Sequence, residues 1–152
     1  MSMSGLSGNL PASLFALPHL KILDLSNNIF DGYIPISSSS RPISLEVLDL
    51  SSNHLTGILP ITAFKNIRNL NLGGNLFSGF LPVSILGLPY LKFLDLSSNH
   101  FEGGFPINFS LEQIPLEVLH FDGNNMSGAL PTEGAFENLR NLRQLYLKQI
   151  EW

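Results

Sequence analysis

The chain of 152 residues contains no cysteine, which excludes disulfides, thiol chemistry and cysteine-based zinc sites together. Charged residues are few, at 13%, the net charge is −4, and no run of basic residues occurs. Electrostatic attraction to nucleic acid or to an anionic membrane therefore has no visible source. The hydrophobic content of 44% nevertheless indicates a folded chain with a substantial core.

Segments for export or membrane insertion are also missing from the sequence. The first residues, Met1 to Gly5, lack the basic region and the continuous apolar run of a secretory signal. No stretch of about 18 apolar residues occurs anywhere. We therefore expect this chain itself to make no contact with a membrane.

One pattern fills almost the whole sequence. The octets LDLSNNIF (23–30), LDLSSNHL (48–55) and LDLSSNHF (94–101) are nearly identical, and the frame LxxLxLxxNxLxGx(I/L)P around them recurs in five full copies. The asparagines of this frame, which we call the ladder asparagines, are Asn28, Asn53, Asn75, Asn99 and Asn124. Their spacing of 22 to 25 residues indicates stacked repeats, each of which forms one coil.

Each position of the frame has a physical role. The alternation in Leu23-Asp24-Leu25 predicts a short strand with its leucines inward. One such strand cannot bury its apolar side alone, so the coils stack and pair their strands in parallel. A ladder asparagine then follows where the chain turns inward, because its amide can both donate and accept hydrogen bonds. The glycine four residues later, such as Gly57, permits a backbone angle that a Cβ forbids.

The frame resembles that of the leucine-rich repeat family, in the plant extracellular subclass found in receptor-like proteins, receptor-like kinases and polygalacturonase-inhibiting proteins. The resemblance covers residues 4 to 152. It implies an α/β fold, a right-handed solenoid in a horseshoe arc, with short parallel strands on the concave face and turns and 3₁₀ pieces on the convex face. We expect a single domain (1–152) without caps, with full repeats 20–44, 45–66, 67–90, 91–115 and 116–141 between partial repeats 4–19 and 142–152.

Candidate binding residues are those that face outward from the expected concave sheet and depart from the repeat average. In the N-terminal half the two outward strand positions are nearly uniform, whereas in the C-terminal half they carry aromatic and adaptable polar side chains, which suit partner recognition. The candidate patch predicted in this way comprises Asn69, Asn71, Phe93, Asp95, Val118, His120, Gln144 and Tyr146. The competing explanation is neutral sequence variation on a surface that tolerates substitution.

A neighbouring outward position alternates in charge along the expected sheet. Its residues are Lys21, Glu46, Arg68, Lys92, Glu117 and Arg143. Each glutamate falls between two basic residues one strand away, so the pattern predicts lateral ion pairs with a structural role.

Catalytic and metal-binding arrangements are not indicated. Asp24 and Asp49 are expected about 5 Å apart, near the spacing of a glycosidase pair, but on an open sheet with no apolar pocket to raise one pKa. His54 and His100 lie two coils apart, about 10 Å, which is too far to share a metal ion. No phosphate-binding loop or nucleophile motif occurs. We therefore expect no enzyme, no cofactor and no metal site.

The resemblance implies a non-catalytic binding module, a fragment of a plant receptor-like protein that recognises a protein or peptide ligand, or a co-receptor, in signalling or defence. It also implies an extracellular or plasma-membrane-associated location, and Asn108 and Asn125 begin sequons for N-glycosylation. An inhibitor of cell-wall-degrading enzymes is the alternative, and a truncated fragment with no independent function is a third.

Because the family's caps are missing, we expect end-to-end self-association through Leu6, Leu10 and Leu14 at one end and Leu145, Leu147, Ile150 and Trp152 at the other.

Overall fold

A computed structural model of the protein describes residues 5–36, 43–106, 114–130, 134 and 136–148. Within these ranges the strands, in chain order, are β1 (Ser7–Asn9), β2 (Ile22–Asp24), β3 (Ile29–Asp31), β4 (Val47–Asp49), β5 (Asn69–Asn71), β6 (Ser78–Phe80), β7 (Phe93–Asp95), β8 (His100–Gly103), β9 (Val118–His120), β10 (Asn125–Met126) and β11 (Gln144–Tyr146). A four-residue helix, α1 (Ala12–Phe15), and two 3₁₀ helices (Ile61–Ala63 and Val83–Gly87) lie between strands. Asn108, Ile150 and Trp152 lie outside the described residues.

Six of these strands form one parallel sheet in the order β2-β4-β5-β7-β9-β11, which we call the six-stranded sheet. Neighbouring strands pair in the register of the sequence frame, so that Leu48 lies between Leu23 and Leu70. The central leucine is buried in β2, β4, β5, β7 and β9, while the residues on either side of it are exposed or half-buried. The strands predicted from the alternation of leucine and polar residues, and the parallel solenoid that they build, are therefore confirmed.

A second set of parallel strands, which the sequence frame did not predict, runs along the flank of the solenoid. β6, β8 and β10 form a three-stranded sheet, and β1 pairs with β3. Between them the backbone N–H of His54 donates to the carbonyl of Phe30 (2.8 Å), and that of Thr56 donates to Gly32 (2.7 Å). The flank is thus hydrogen-bonded from coil to coil, so each coil is joined to the next on two sides.

The ladder asparagines join each coil to the preceding one through buried hydrogen bonds. Oδ1 of Asn75 accepts from the backbone N–H of Leu55 (3.0 Å), and its Nδ2 donates to the carbonyls of Leu50 (2.9 Å) and Leu72 (3.1 Å). Asn53, Asn99 and Asn124 repeat this arrangement. Asn28 is only half-buried, and its Oδ1 accepts from Leu6 at 3.2 Å. Backbone groups that the inward turn removes from water are satisfied in this way.

Apolar residues of successive coils fill the interior as one continuous core. Phe77 and Phe101 stack in parallel across two coils, with ring centroids 6.3 Å apart. At the N-terminal end of the described residues the expectation of uncovered leucines is wrong for Leu10, which is 3% exposed because it packs into this core. Leu6, by contrast, is 54% exposed. Among helices of the described residues, none is long and apolar enough to cross a membrane.

Candidate functional site

The eight residues of the candidate patch lie side by side on four adjacent strands of the six-stranded sheet, β5, β7, β9 and β11. In one row the register places Asn69, Phe93, Val118 and Gln144 next to one another, and in the other it places Asn71, Asp95, His120 and Tyr146. Strand spacing makes the patch about 14 Å long. The sequence frame therefore identified a contiguous surface, two residues wide.

Aromatic rings form the centre of this patch. The ring of His120 lies between those of Phe93 and Tyr146, with centroid distances of 5.8 Å and 4.3 Å and edge-to-face angles. Tyr146 is 41% exposed, whereas Phe93 and Val118 are half-buried. Edge-to-face rings are a favourable arrangement beyond their buried area, so the three side chains hold one another in place.

His120 has one nitrogen paired and one unpaired. Its Nδ1 lies 3.4 Å from Oδ2 of Asp95, whose Oδ1 accepts from the backbone N–H of Ser97 at 2.9 Å. Its Nε2 is buried and has no hydrogen-bond partner within the described residues. Such an atom is costly to leave unsatisfied. In the sequence, this arrangement was indicated only by the histidine at a position where three other strands carry aspartate.

Polar side chains border the aromatic centre on its N-terminal side. Nδ2 of Asn71 donates to Oδ2 of Asp49 (3.1 Å), and its Oδ1 accepts from the backbone N–H of Gly73 (3.1 Å). Asn69 beside it is exposed, as is Gln144 at the opposite end of the patch. Amides that remain accessible can donate or accept, so both ends of the patch can bind a peptide backbone.

Asp24 and Asp49 are direct register partners on β2 and β4, as the spacing predicted. The backbone N–H of Ser26, followed by its hydroxyl, holds the pKa of Asp24 below its ordinary value of 3.8. The general acid of a glycosidase requires a raised pKa instead. Asp24 consequently lacks the electrostatics of a general acid.

Glutamates pair with basic residues on both sides in the row of alternating charge. Glu46 Oε1 lies 3.1 Å from Lys21 Nζ, and its Oε2 lies 3.2 Å from Arg68 Nε. Glu117 lies 2.9 Å from Lys92 and 3.9 Å from Arg143. The hydrogen bond and the charge of the lysine, with a smaller effect of the arginine, lower the pKa of each glutamate.

Histidines and acids do not cluster as metal ligands within the part of the chain that the structure describes. His54 and His100 are both exposed on the flank. The candidate site is a surface of rings, amides and one carboxylate, and aromatic and adaptable polar side chains of this kind suit recognition.

Comparison with known proteins agrees with this architecture. Two family models of the leucine-rich repeat match the chain, over residues 19–40 and 43–101. The ectodomain of the Arabidopsis thaliana membrane receptor kinase GASSHO1/SCHENGEN3, solved in complex with CASPARIAN STRIP INTEGRITY FACTOR 2, is 32% identical with a TM-score of 0.79 over 96% of this chain. The chain belongs to the plant extracellular-type leucine-rich repeat family.

Two further solved structures extend the comparison of this leucine-rich repeat chain. The Arabidopsis receptor kinase HAESA, in complex with the peptide hormone IDA and the co-receptor SERK1, is 31% identical with a TM-score of 0.79 over 96% of the chain. A plant ice-binding protein is 31% identical with a TM-score of 0.75 over the same share. The chain spans only 17%, 24% and 47% of these three structures, in the order given. No curated protein matches it.

Proposed function

We propose that the chain is a non-catalytic, ligand-binding module of a plant receptor-like protein and that the candidate patch contacts a protein or peptide ligand. One observation carries this proposal: Phe93, His120 and Tyr146 interlock beside Asp95 on a sheet that is otherwise repetitive. Neutral substitutions at separate positions are not expected to produce side chains that pack against one another across three strands. This packing supports a role of the surface in recognition.

The chemistry of the patch favours an extended peptide as the ligand. The aromatic centre offers apolar contact area with little loss of conformational entropy, which is typical of binding hot spots. The exposed amides of Asn69 and Gln144 lie at its two ends, where they can hydrogen-bond to a peptide backbone. Two of the structural relatives are receptor kinases solved in complex with a named factor or with a peptide hormone, which supports the same class of ligand.

The same proposal places the chain in one leucine-rich repeat domain outside the cell, with a role in signalling or defence. Asn125 is exposed in β10, so its sequon is accessible for N-glycosylation. Expression in a secretory host, followed by peptide mapping with and without glycosidase treatment, tests this point. A mass at Asn125 that is unchanged by the treatment would contradict it.

The binding proposal is tested with a random dodecapeptide display library selected on the immobilised chain. We expect enriched peptides that bind the wild type and lose about tenfold or more in affinity when Phe93 or Tyr146 is changed to alanine. The matched control is Tyr90→Ala, which removes a ring that is 50% exposed outside both the patch and the flank. Equal losses in the patch variants and in this control, or capture of a pectin-degrading enzyme independent of Phe93, would overturn the assignment and favour the inhibitor alternative.

End-to-end self-association stays a prediction from the sequence. Leu6, Leu145 and Tyr146 are 54%, 39% and 41% exposed at the two ends of the described solenoid. Light scattering on the purified chain at micromolar concentration tests it, and a monodisperse monomer would contradict it.

A further inference from the structure

The most exposed large apolar side chains of the described residues lie on the flank of the solenoid, away from the candidate patch. Ile58 is 88% exposed, Phe80 is 78% exposed and Tyr33 is 65% exposed. We call these three residues the flank stripe. Each directly follows the frame glycine of its coil, and the three coils are consecutive.

Backbone geometry explains why these side chains point into solvent. The preceding glycines, Gly32, Gly57 and Gly79, have φ angles of 75°, 89° and 85°, which L side chains rarely adopt. The chain turns at this glycine, and the residue two positions after it returns to the core, as Ile34 does at 3% exposure. The residue between them faces outward whatever its type.

The repeat itself does not require an apolar residue at this position. The same position is Asn9 in the coil before the stripe, and Gly104 and Ala129 in the two coils after it. The core continues through all three of those coils, and the ladder and both sheets continue through the two coils after the stripe. The flank stripe is therefore a local surface feature, and large exposed apolar patches mark interaction sites.

An open groove with a volume of about 880 Å³ runs beside the stripe. Tyr33 and Ile58 line it together with the frame prolines Pro35 and Pro60, and among the described residues no charged one lines it. Because coils stack about 4.8 Å apart, the stripe is about 10 Å long, the reach of about three residues of an extended chain. The surface thus fits apolar side chains of an extended segment.

Acidic residues stand at the two ends of the stripe. Asp31 is two residues before Tyr33 and is exposed on the same flank, and Glu102 is the strand partner of Phe80. The segments that form this surface, 29–33, 54–58, 76–80 and 100–104, contain these two acids and no lysine or arginine. A partner with apolar side chains between basic ones is complementary in both charge and hydrophobicity.

We propose that the flank stripe is a docking surface for a second protein, distinct from the ligand of the candidate patch. The partner presents an extended segment whose apolar side chains contact Tyr33, Ile58 and Phe80, with lysine or arginine at each end facing Asp31 and Glu102. The two faces belong to different sheets of the fold, so both can be occupied at once.

The test selects a random octapeptide display library on the full chain carrying Phe93→Ala and Tyr146→Ala, so that the candidate patch does not compete, and measures the affinity of the best synthetic peptide for the wild type. We expect apolar residues with flanking basic residues, and about tenfold weaker binding to Ile58→Asp. Ile22→Asp is the matched control, because Ile22 is 64% exposed on the other sheet, and binding should be unchanged. Circular dichroism melts confirm folding, and Ile58→Ser replaces Ile58→Asp if that variant melts early.

Charge is tested separately with the double variant Asp31→Lys and Glu102→Lys. Its binding should weaken about threefold and become less sensitive to salt, while Glu137→Lys, an exposed acid outside the stripe, changes neither. Enriched peptides that lack basic residues would overturn the proposal, and so would binding that survives Ile58→Asp. A dimer in sedimentation that Ile58→Asp dissolves would also overturn it, because a second copy would then occupy the stripe.

Discussion

Oδ2 of Asp95 lies 3.4 Å from Nδ1 of His120, across the boundary between β7 and β9. This contact and the two flanking rings fix the orientation of the imidazole, and they leave Nε2 buried without a partner among the described residues. At the equivalent position of the other strands the residue is aspartate, asparagine or tyrosine. A buried unpaired nitrogen costs stability, and binding sites are where such costs are tolerated.

Replacing His120 with phenylalanine should separate stability from binding. The substitution keeps a ring between Phe93 and Tyr146 and removes the unpaired Nε2, so we expect a gain of about 1 kcal/mol in the free energy of unfolding. Affinity for a peptide selected on the patch should fall. Urea titration and calorimetric binding measure the two effects. A loss of stability together with unchanged affinity would show that His120 is a structural residue.

Asn75→Leu should be among the most destabilising changes of a polar residue in the chain. The variant leaves the N–H of Leu55 and the carbonyl of Leu50 buried without their partner, at a cost of about 3 kcal/mol. Asn28→Leu should cost about 1 kcal/mol, since Asn28 is half-buried at the end of the ladder. Chemical denaturation compares the two, with exposed Asn69→Leu as control. Equal losses in all three would contradict a hydrogen-bonded ladder.

The six-stranded sheet and the ladder could be predicted because the frame repeats the same physical requirement in every coil. Leu48 must face the core, and Asn53 must hydrogen-bond to the backbone of the turn, whichever residues occupy the surface. The partners of the candidate patch could not be predicted in the same detail. The edge-to-face packing of His120 on Tyr146 depends on side-chain rotamers, which the frame does not constrain.

The row of ion pairs should make stability depend on pH in a defined direction. Lys21 and Arg68 lower the pKa of Glu46, so its stabilising contribution is complete above its ordinary value of 4.5 and disappears as pH falls through the lowered value. Glu46→Gln should therefore be slightly less stable than wild type at neutral pH and equal to it in acid. Salt should reduce the difference at neutral pH. Thermal melts across pH test this, and a difference that grows on acidification would contradict it.

Ser98→Val should destabilise the coil in which it lies. Ser98 has a φ of 51°, and the corresponding residues of two other coils, Gly74 and Gly123, also have positive φ. A β-branched side chain is strained there, so we expect a loss of about 1 to 2 kcal/mol. Ser98→Gly should be tolerated. Ser78→Val, in the exposed strand β6, is the control that should change stability little in the same denaturation assay, and equal losses at both serines would contradict backbone strain.

Two features of the fold were missed for a common reason. The strands of the flank read SGN, IFD, SGF, HFEG and NM, and they share no alternation of apolar and polar residues from which a strand could be recognised. The flank stripe occupies a position to which the frame assigns no role. Comparing that position across coils, from Asn9 through Tyr33, Ile58 and Phe80 to Gly104, would have revealed the local excess of apolar residues.

Methyl NMR spectra of the chain, titrated with a peptide from the dodecapeptide selection, test the central claim most directly. Val118 and Val47 occupy the same position of strands β9 and β4, and both are half-buried, but only Val118 belongs to the candidate patch. We predict that the Val118 methyl signals shift in proportion to occupancy while those of Val47 stay in place. Unchanged Val118 signals at saturation, or equal shifts at both valines, would contradict binding at this patch.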